Sequence, residues 1–213
     1  RVIMNTLSLS FYAIIAGFPF PIIFALVLNA IRHVRFKRVV QTITYMPHFI
    51  SVIVIVGMML QIFHPIVGVY GVIYNFIAGT APSDIFASPD MFPHLYVWSQ
   101  VWQGFGWGSI IYLAALTTVS TELHEAAEVD GASRFQRMLH IDIPAIIPTI
   151  IIMLILRMGS IMSIGFEKIF LMQNDLNLRT SEVISTFVYK QGIGSGASSD
   201  YSFSKEIGYL NSA

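Results

Sequence analysis

The segment 121–148, TELHEAAEVDGASRFQRMLHIDIPAIIP, has an unusual density of side chains that could do chemistry. Seven of the 21 residues from Glu122 to Asp142 are charged, although only 11% of the whole chain is charged and 55% is hydrophobic. Its HEAAE run at 124–128 differs from the HExxH zinc-protease motif because Glu128 replaces the second histidine ligand. The remaining histidines are dispersed: His33, His48, His64, His94 and His140. The sequence therefore predicts neither a metal site nor a catalytic residue.

Composition excludes several other classes of protein. The chain of 213 residues contains no cysteine, so disulfides and thiolate metal sites are excluded. Twelve Lys and Arg balance twelve Asp and Glu, so no net positive charge attracts nucleic acid. No GxxxxGK[ST] phosphate loop is present, so nucleotide hydrolysis would have to come from another chain. We therefore expect no bound cofactor and no nucleic-acid partner.

Four apolar stretches are long enough to cross a bilayer, which takes about 20 residues. They run over 2–28, 39–63, 95–119 and 143–166, and Arg157 is the only charged residue inside them. The alternative of buried helices in a large soluble protein fails, because such helices average about 11–12 residues and have a polar face. The predicted fold class is all-α, a polytopic transmembrane helical bundle. We expect one transmembrane domain over 1–213, as a fragment that lacks flanking spans because the chain opens and stops abruptly.

Loop charges predict the orientation of these spans. The loop 64–94 has no Lys or Arg, whereas the short loop 29–38 has four. They are Arg32, Arg35, Lys37 and Arg38. Positive charge in short loops marks the cytoplasmic side. Alternation then places 29–38 and 120–142 in the cytoplasm and 64–94 and 167–205 outside.

Local signals divide the charged segment into two helices. Ser120 or Thr121 can cap a first helix, and Gly131 is typical of a left-handed helix C-terminus. Phe135, Met138 and Leu139 then form an apolar stripe, which predicts a second, amphipathic helix at the cytoplasmic surface. Such a helix could rest on lipid or bind a protein. Five acids among the seven charges favour a protein partner.

The spacing of this segment resembles a known signature. EAA, three residues, glycine, nine residues and Ile-x-hydrophobic-Pro is the signature loop of the membrane subunits of binding-protein-dependent ABC importers. Here the pattern is Glu125-Ala126-Ala127, Gly131 and Ile141-Asp142-Ile143-Pro144, with Ile143 in place of the usual leucine. Sequences at 5–10, 17–29, 35–51 and 165–172 are similar to the branch that imports complex sugars and polysaccharides.

The resemblance implies a type I importer permease in the bacterial inner membrane. It implies a second homologous permease subunit, a dimer of cytoplasmic ATPase subunits that bind ATP and Mg²⁺, and an external solute-binding protein. Residues 120–143, here named the coupling loop, would dock on the ATPase. The implied contact and turn residues are Glu125, Ala126, Ala127, Asp130, Gly131, Ala132 and Phe135. The alternatives are a permease for another solute class, or a membrane enzyme that acts on a surface polymer.

Candidate substrate groups lie within the predicted spans. Arg157, near the middle of the fourth stretch, would be either a counter-ion for an acidic oligosaccharide or a structural bridge to a partner carboxylate or carbonyl group. Trp102 and Trp107, with Gln103, could stack on and hydrogen-bond sugar rings, although aromatic residues at a boundary commonly form an interfacial belt in contact with lipid. Asn5 and Tyr12 are the polar candidates of the first span.

Overall fold

The computed structural model describes residues 1–31 and 33–192, and within these ranges the chain forms helices and connecting turns without a strand. Twelve α-helices follow in chain order. They are α1 (Val2–Gly17), α2 (Pro19–Ala30), α3 (Val34–Tyr45), α4 (Val52–Ile62), α5 (Val69–Ala78), α6 (Phe92–Leu116), α7 (Thr121–Val129), α8 (Arg134–Arg137), α9 (Ile143–Gly159), α10 (Phe166–Met172), α11 (Leu178–Ser181) and α12 (Ile184–Gly192). A 3₁₀ turn (Met46–Phe49) precedes α4, and a π-helical turn (Met138–Asp142) precedes α9.

Two helical stretches have the length and apolar composition to cross a membrane. The first is Val2–Ala30, 29 residues that comprise α1 and α2, with a break at Phe18 where Pro19 begins α2. The second is Arg134–Gly159, 26 residues that end well before the predicted limit at 166. Arg157 consequently lies in the last turn of α9, and its predicted position near the middle of a span is wrong.

The predicted span over 39–63 contains a sharp bend that the sequence did not indicate. Helices α3 and α4 meet at an angle of 97°, so this segment is a broken span or a re-entrant loop. Pro47 lies in the 3₁₀ turn between them, and Ser51 caps α4 by accepting a hydrogen bond from the Val54 amide. The side chain of Gln103 donates to the Ile50 carbonyl oxygen over 3.2 Å. Because a broken helix leaves carbonyl groups unpaired, this contact stabilises the bend.

The predicted cytoplasmic loop 29–38 is largely helical. Arg35, Lys37 and Arg38 lie on α3, which begins at Val34, while Arg32 falls outside the described residues. The basic cluster is therefore presented from a helix surface rather than from a flexible connector.

Helix α6 lies at the centre of the bundle and packs against α1, α2, α3 and α9. Its 25 residues span about 38 Å at 1.5 Å per residue, enough to cross a bilayer. It lacks the apolar composition of the two spans above, since Ser99, Gln100 and Gln103 interrupt it. Gly106 allows the backbone of α3 to approach, because a Cβ atom there would collide with the Thr44 carbonyl group.

The core has two parts along this central helix. Tyr96, Val97 and Ile169 belong to the first, where α1, α4, α6 and α10 meet. Ala25 and Ile146 belong to the second, where α2, α6 and α9 meet. The two ends of the bundle are thus held by different sets of helices.

The segments 64–94 and 167–192 contact each other at one end of the bundle. The buried Asn177 side chain donates to the carbonyl oxygens of Phe86 and Met172, both over 3.0 Å. Arg179 pairs with Asp90 over 3.0 Å. Their contact agrees with the prediction that both segments lie on one side of the membrane; residues 193–205 of that prediction lie outside the described residues.

Candidate functional site

Helix α7 forms the first half of the coupling loop. The Ser120 hydroxyl accepts a hydrogen bond from the Glu122 amide over 3.2 Å, and Glu122 places a negative charge in the first turn. Both features stabilise a helix N-terminus, because the first amides lack intrahelical partners and carry partial positive charge. The expected cap is confirmed at Ser120.

The turn after α7 is a Schellman motif. The Ala132 amide donates to the Ala127 carbonyl oxygen over 2.9 Å, and the Gly131 amide donates to the Glu128 carbonyl oxygen over 3.1 Å. Gly131 has φ +81°, which is the left-handed conformation predicted for it. A Cβ atom there would meet no neighbouring atom, so the constraint on this position is the backbone conformation rather than space.

The second half of the coupling loop differs from the predicted surface helix. Helix α8 has only four residues, begins with a capping box between Ser133 and Gln136, and runs through the π-helical turn directly into α9. The Ile143 amide bonds to the Met138 carbonyl oxygen, five residues back. Pro144 explains the change of register, because proline lacks an amide donor and its ring crowds the carbonyl four residues before it. Movement of α8 is consequently tied to α9.

The outer surface of the coupling loop mixes acidic and large apolar side chains. Val129 is 88% exposed and Phe135 66% exposed. Glu125, Ala126, Asp130 and Gly131 are also exposed, whereas Ala127 and Ala132 are partly buried within the turn. Apolar side chains that stand in water beside carboxylates are typical of a surface covered by a protein partner.

Two side-chain contacts join α7 to the chain that follows the turn. Arg137 Nη1 lies 2.8 Å from Glu128 Oε2, and His124 Nε2 lies 3.3 Å from Asp142 Oδ1. Sequence reasoning considered His124 only as part of the zinc-like motif and missed the second contact. No local pattern pairs residues 18 positions apart, so the sequence carried no signal for it.

Arg157 faces a small polar cavity of about 70 Å³ between α9, α1 and α6. The polar side chains lining this cavity are Ser10, Gln100, Arg157, Ser160 and Ser163. Arg157 is exposed, and its guanidinium forms no ion pair with any residue of 1–31 or 33–192. A guanidinium with hydroxyl and amide neighbours can bind a ligand that carries both a carboxylate and hydroxyl groups.

Trp102 and Tyr12 lie near a second, apolar cavity. Trp102 lines this cavity of about 420 Å³ together with Trp98 and His94. The Tyr12 hydroxyl lies 2.8 Å from His94 Nδ1, so Tyr12 supports the cavity wall through His94. An apolar wall with exposed indole rings can stack on the faces of sugar rings or on acyl chains.

The other predicted substrate groups have structural partners. Trp107 stacks on His48 with ring centres 4.7 Å apart, beside the bend where Gln103 bonds to the backbone. Asn5 donates to the carbonyl oxygens of Arg179 and Glu182, both over 3.0 Å. The six candidates therefore lie in four places, with Trp102 and Tyr12 near one cavity and Trp107 and Gln103 beside one bend, and the structure does not gather them into one site.

Metal-ligating side chains are dispersed in the folded chain as well. In the part of the chain that the structure describes, no group of three or more His, Asp or Glu side chains could hold a metal ion. The near-match to a zinc motif on α7 is accounted for by the contacts of His124 and Glu128 with the adjoining helix.

Two known bacterial proteins are similar to this chain over its whole length. The chain is 42% identical over 212 residues to Protein LplB of Bacillus subtilis (strain 168). It is 36% identical to the Polygalacturonan/rhamnogalacturonan transport system permease protein YteP of the same organism. In both comparisons the whole chain aligns with 65% of the relative, so it spans about two thirds of their length.

Solved structures resemble this fold closely. A bacterial ABC transporter involved in the import of the acidic polysaccharide alginate has a chain with a TM-score of 0.88 and 36% identity. That alignment covers 99% of this chain and 72% of the other. A bacterial alginate ABC transporter in complex with an alginate pentasaccharide-bound periplasmic protein gives a TM-score of 0.87 and 38% identity, with 91% and 67% covered. The predicted all-α permease fold is confirmed.

The match to a family profile covers most of the sequence. Residues 17–201 match the family described as binding-protein-dependent transport system inner membrane component. This range includes the coupling loop, the central helix α6 and Arg157. The chain belongs to the family of inner membrane components of binding-protein-dependent transport systems.

Proposed function

We propose that this chain is part of the membrane subunit of an ATP-driven importer that takes up oligo- or polysaccharide from an external solute-binding protein. In this proposal the chain moves solute and hydrolyses nothing itself. Two cytoplasmic ATPase subunits bind ATP and Mg²⁺, and a second homologous subunit completes the pathway. Family membership supports the proposal, as do the similarity to a polygalacturonan/rhamnogalacturonan transport permease and to a transporter involved in the import of the acidic polysaccharide alginate.

The observation that carries the proposal is the exposed surface of the coupling loop. Helix α7 and the Schellman turn form a rigid projection, with Val129 and Phe135 standing in water beside Glu125 and Asp130. An interfacial helix that rests on anionic lipid would need basic residues there, and α7 has none. A soluble ATPase that covers these apolar side chains can pull the loop as one body and move α9 with it.

The proposed orientation follows from the basic residues. The charged face of α3 and the coupling loop lie in the cytoplasm, and residues 64–94 and 167–205 lie outside. With this orientation, the outer surface of the contacting segments 64–94 and 167–192 is available to a solute-binding protein.

We further propose that the transported saccharide is acidic and that Arg157 contacts its carboxylate groups. The supporting observation is a guanidinium without an ion pair among the described residues, within a cavity lined by hydroxyl and amide groups. An exposed guanidinium at the end of a helix has its N–H donors available to a carboxylate ligand. A uronic-acid residue offers both a carboxylate and hydroxyl groups.

Purification and reconstitution of the full-length subunit test the proposal. The subunit, tagged and isolated from its host membrane, is expected to bring with it a protein that carries a GxxxxGK[ST] loop. The reconstituted complex should accumulate a uronic-acid oligosaccharide only with ATP and the binding protein present. Accumulation that is independent of ATP would contradict an importer of this kind.

A further inference from the structure

We propose that His124, Asp142 and Asn29 form a polar link that ties α7 to the bases of α9 and α2 and so carries the movement of the coupling loop into the bundle. The inference rests on the proposed function, because it concerns how that loop transmits force. It assigns a positioning role to His124, Asn29 and Asp142, which are not among the contact and turn residues that the resemblance implies.

Asp142 is the buried centre of the link. Its side chain is only 9% exposed, and Oδ1 has no well-formed hydrogen bond in the described part of the chain. His124 Nε2 approaches this oxygen to 3.3 Å, and Asn29 lines the same small cavity as His124 and Asp142. A buried carboxylate is costly unless it is paired, so removal of His124 leaves a strongly unfavourable group at the junction.

The π-helical turn gives Asp142 this orientation. Residues five apart lie about 140° apart around an α-helix, so Arg137 and Asp142 would face different sides in a regular helix. The i→i+5 bonding of the π turn brings them towards one face. On α7 their partners Glu128 and His124 are four apart, which is one α-helical turn. Two contacts, Glu128–Arg137 and His124–Asp142, therefore join the helices side by side.

The link reaches a third helix through Asn29. Asn29 lies in the last turn of α2, at the end of the span Val2–Ala30. Together with His124, Arg137 and Asp142 it lines a cavity of about 160 Å³ at the base of the bundle. The link adds to the chain turn and the Glu128–Arg137 pair, which also join α7 to the chain that runs into α9. With it, a displacement of α7 acts directly on two spans.

Variants of the link in the full-length transporter, assembled with its ATPase and reconstituted in vesicles, test the inference. Uptake and ATP hydrolysis are measured in the same vesicles. His124→Leu should retain the ATPase and its hydrolysis but lower uptake per ATP at least about fivefold. His124→Gln, which keeps a donor near Nε2, should stay within about twofold of the unmodified protein. His33→Leu is the matched control, since His33 is exposed at the start of α3, outside the coupling loop, and makes no side-chain cap hydrogen bond there.

Two further variants keep the test decisive. Asp142→Asn preserves side-chain size, so it folds where the leucine variant fails, and it should lower uptake per ATP similarly. Adding Asp142→Asn to His124→Leu should cause little further loss, because partners in one contact are non-additive. Unchanged uptake per ATP in both single variants, or fully additive losses, would overturn the link. Absence of ATP-driven uptake in the unmodified protein would instead overturn the proposed function, and the link with it.

Discussion

The amide of Ala132 donates a hydrogen bond to the carbonyl oxygen of Ala127 over 2.9 Å, around a glycine in the left-handed conformation. Ala127 ends the Glu-Ala-Ala run and Ala132 follows Gly131, so this bond gives a physical reason for the spacing between the run and the glycine. It closes the end of α7 and directs the chain towards α8. The coupling loop is thereby a rigid turn and not a flexible connector.

Substitution of Gly131 should uncouple transport from ATP hydrolysis. Gly131→Val forces a β-branched residue into φ +81°, at a cost of about 1–2 kcal/mol that the loop avoids by changing shape. We expect hydrolysis without uptake in reconstituted vesicles. Gly131→Asn is the control, because asparagine tolerates the left-handed region, and it should retain most uptake. Full coupled uptake by the valine variant would contradict the proposed rigidity.

Truncation of Phe135 should weaken binding of the ATPase. The ring is largely exposed in this chain, so Phe135→Ala removes no core contact and should leave the thermal unfolding temperature within about 2 °C. Loss of an aromatic anchor typically costs more than about 1 kcal/mol, or at least about fivefold in affinity. Copurification at graded salt measures the effect. Phe76→Ala is the matched control, since Phe76 is 90% exposed on α5, on the predicted outer side.

Removal of the Arg157 charge should discriminate between substrates. Arg157→Ala is expected to lower uptake of anionic oligosaccharides about tenfold or more, because a hydrogen bond to a charged group contributes about 1.5–3 kcal/mol. Uptake of neutral oligosaccharides of the same length should change little, and Arg157→Lys should recover part of the loss. Arg179→Ala is the control, since Arg179 already pairs with Asp90 at the surface. Equal loss of both substrates would assign Arg157 a structural role.

Lys168 should make stability depend on pH in the alkaline range. It lies on α10, outside the two candidate spans, and its ammonium group sits 5.9 Å from the centre of the Tyr96 ring. Burial lowers the pKa of Lys168 from 10.5 to about 8. Between these two values the unfolded chain binds more protons, so the free energy of unfolding rises with pH across this window.

Lys168→Met provides the measurement. Below pH 8, Lys168 is protonated in both the folded and the unfolded state of the unsubstituted protein. The cost of burying its charge is then fully present. The methionine variant should therefore be more stable at pH 7 by about 2 kcal/mol, after the lost contact with the Tyr96 ring is subtracted. This advantage should shrink towards pH 10. A difference in unfolding free energy that is the same at pH 7 and pH 10 would show that Lys168 is not desolvated.

Local sequence determined the features that depend on neighbouring residues. Ser120 caps α7, and Gly131 ends it, because capping and left-handed turns involve groups within five positions. The first span and the family signature could also be predicted from the sequence, since apolar length and motif spacing are properties of contiguous residues. The all-α class followed from the same runs.

Tertiary structure decided what depends on distant residues. The 97° bend is accompanied by a hydrogen bond from Gln103 of α6 to the Ile50 carbonyl group, and apolar composition alone does not show such a contact. The π turn that joins α8 to α9 shifts Asp142 towards His124, and no local period predicts that contact. The sequence predicted Arg157 near the middle of a span, but it lies at the helix end because α9 stops at Gly159. Long-range contacts set these positions. The sequence contains the residues that make the contacts, but no local pattern shows which distant residues meet.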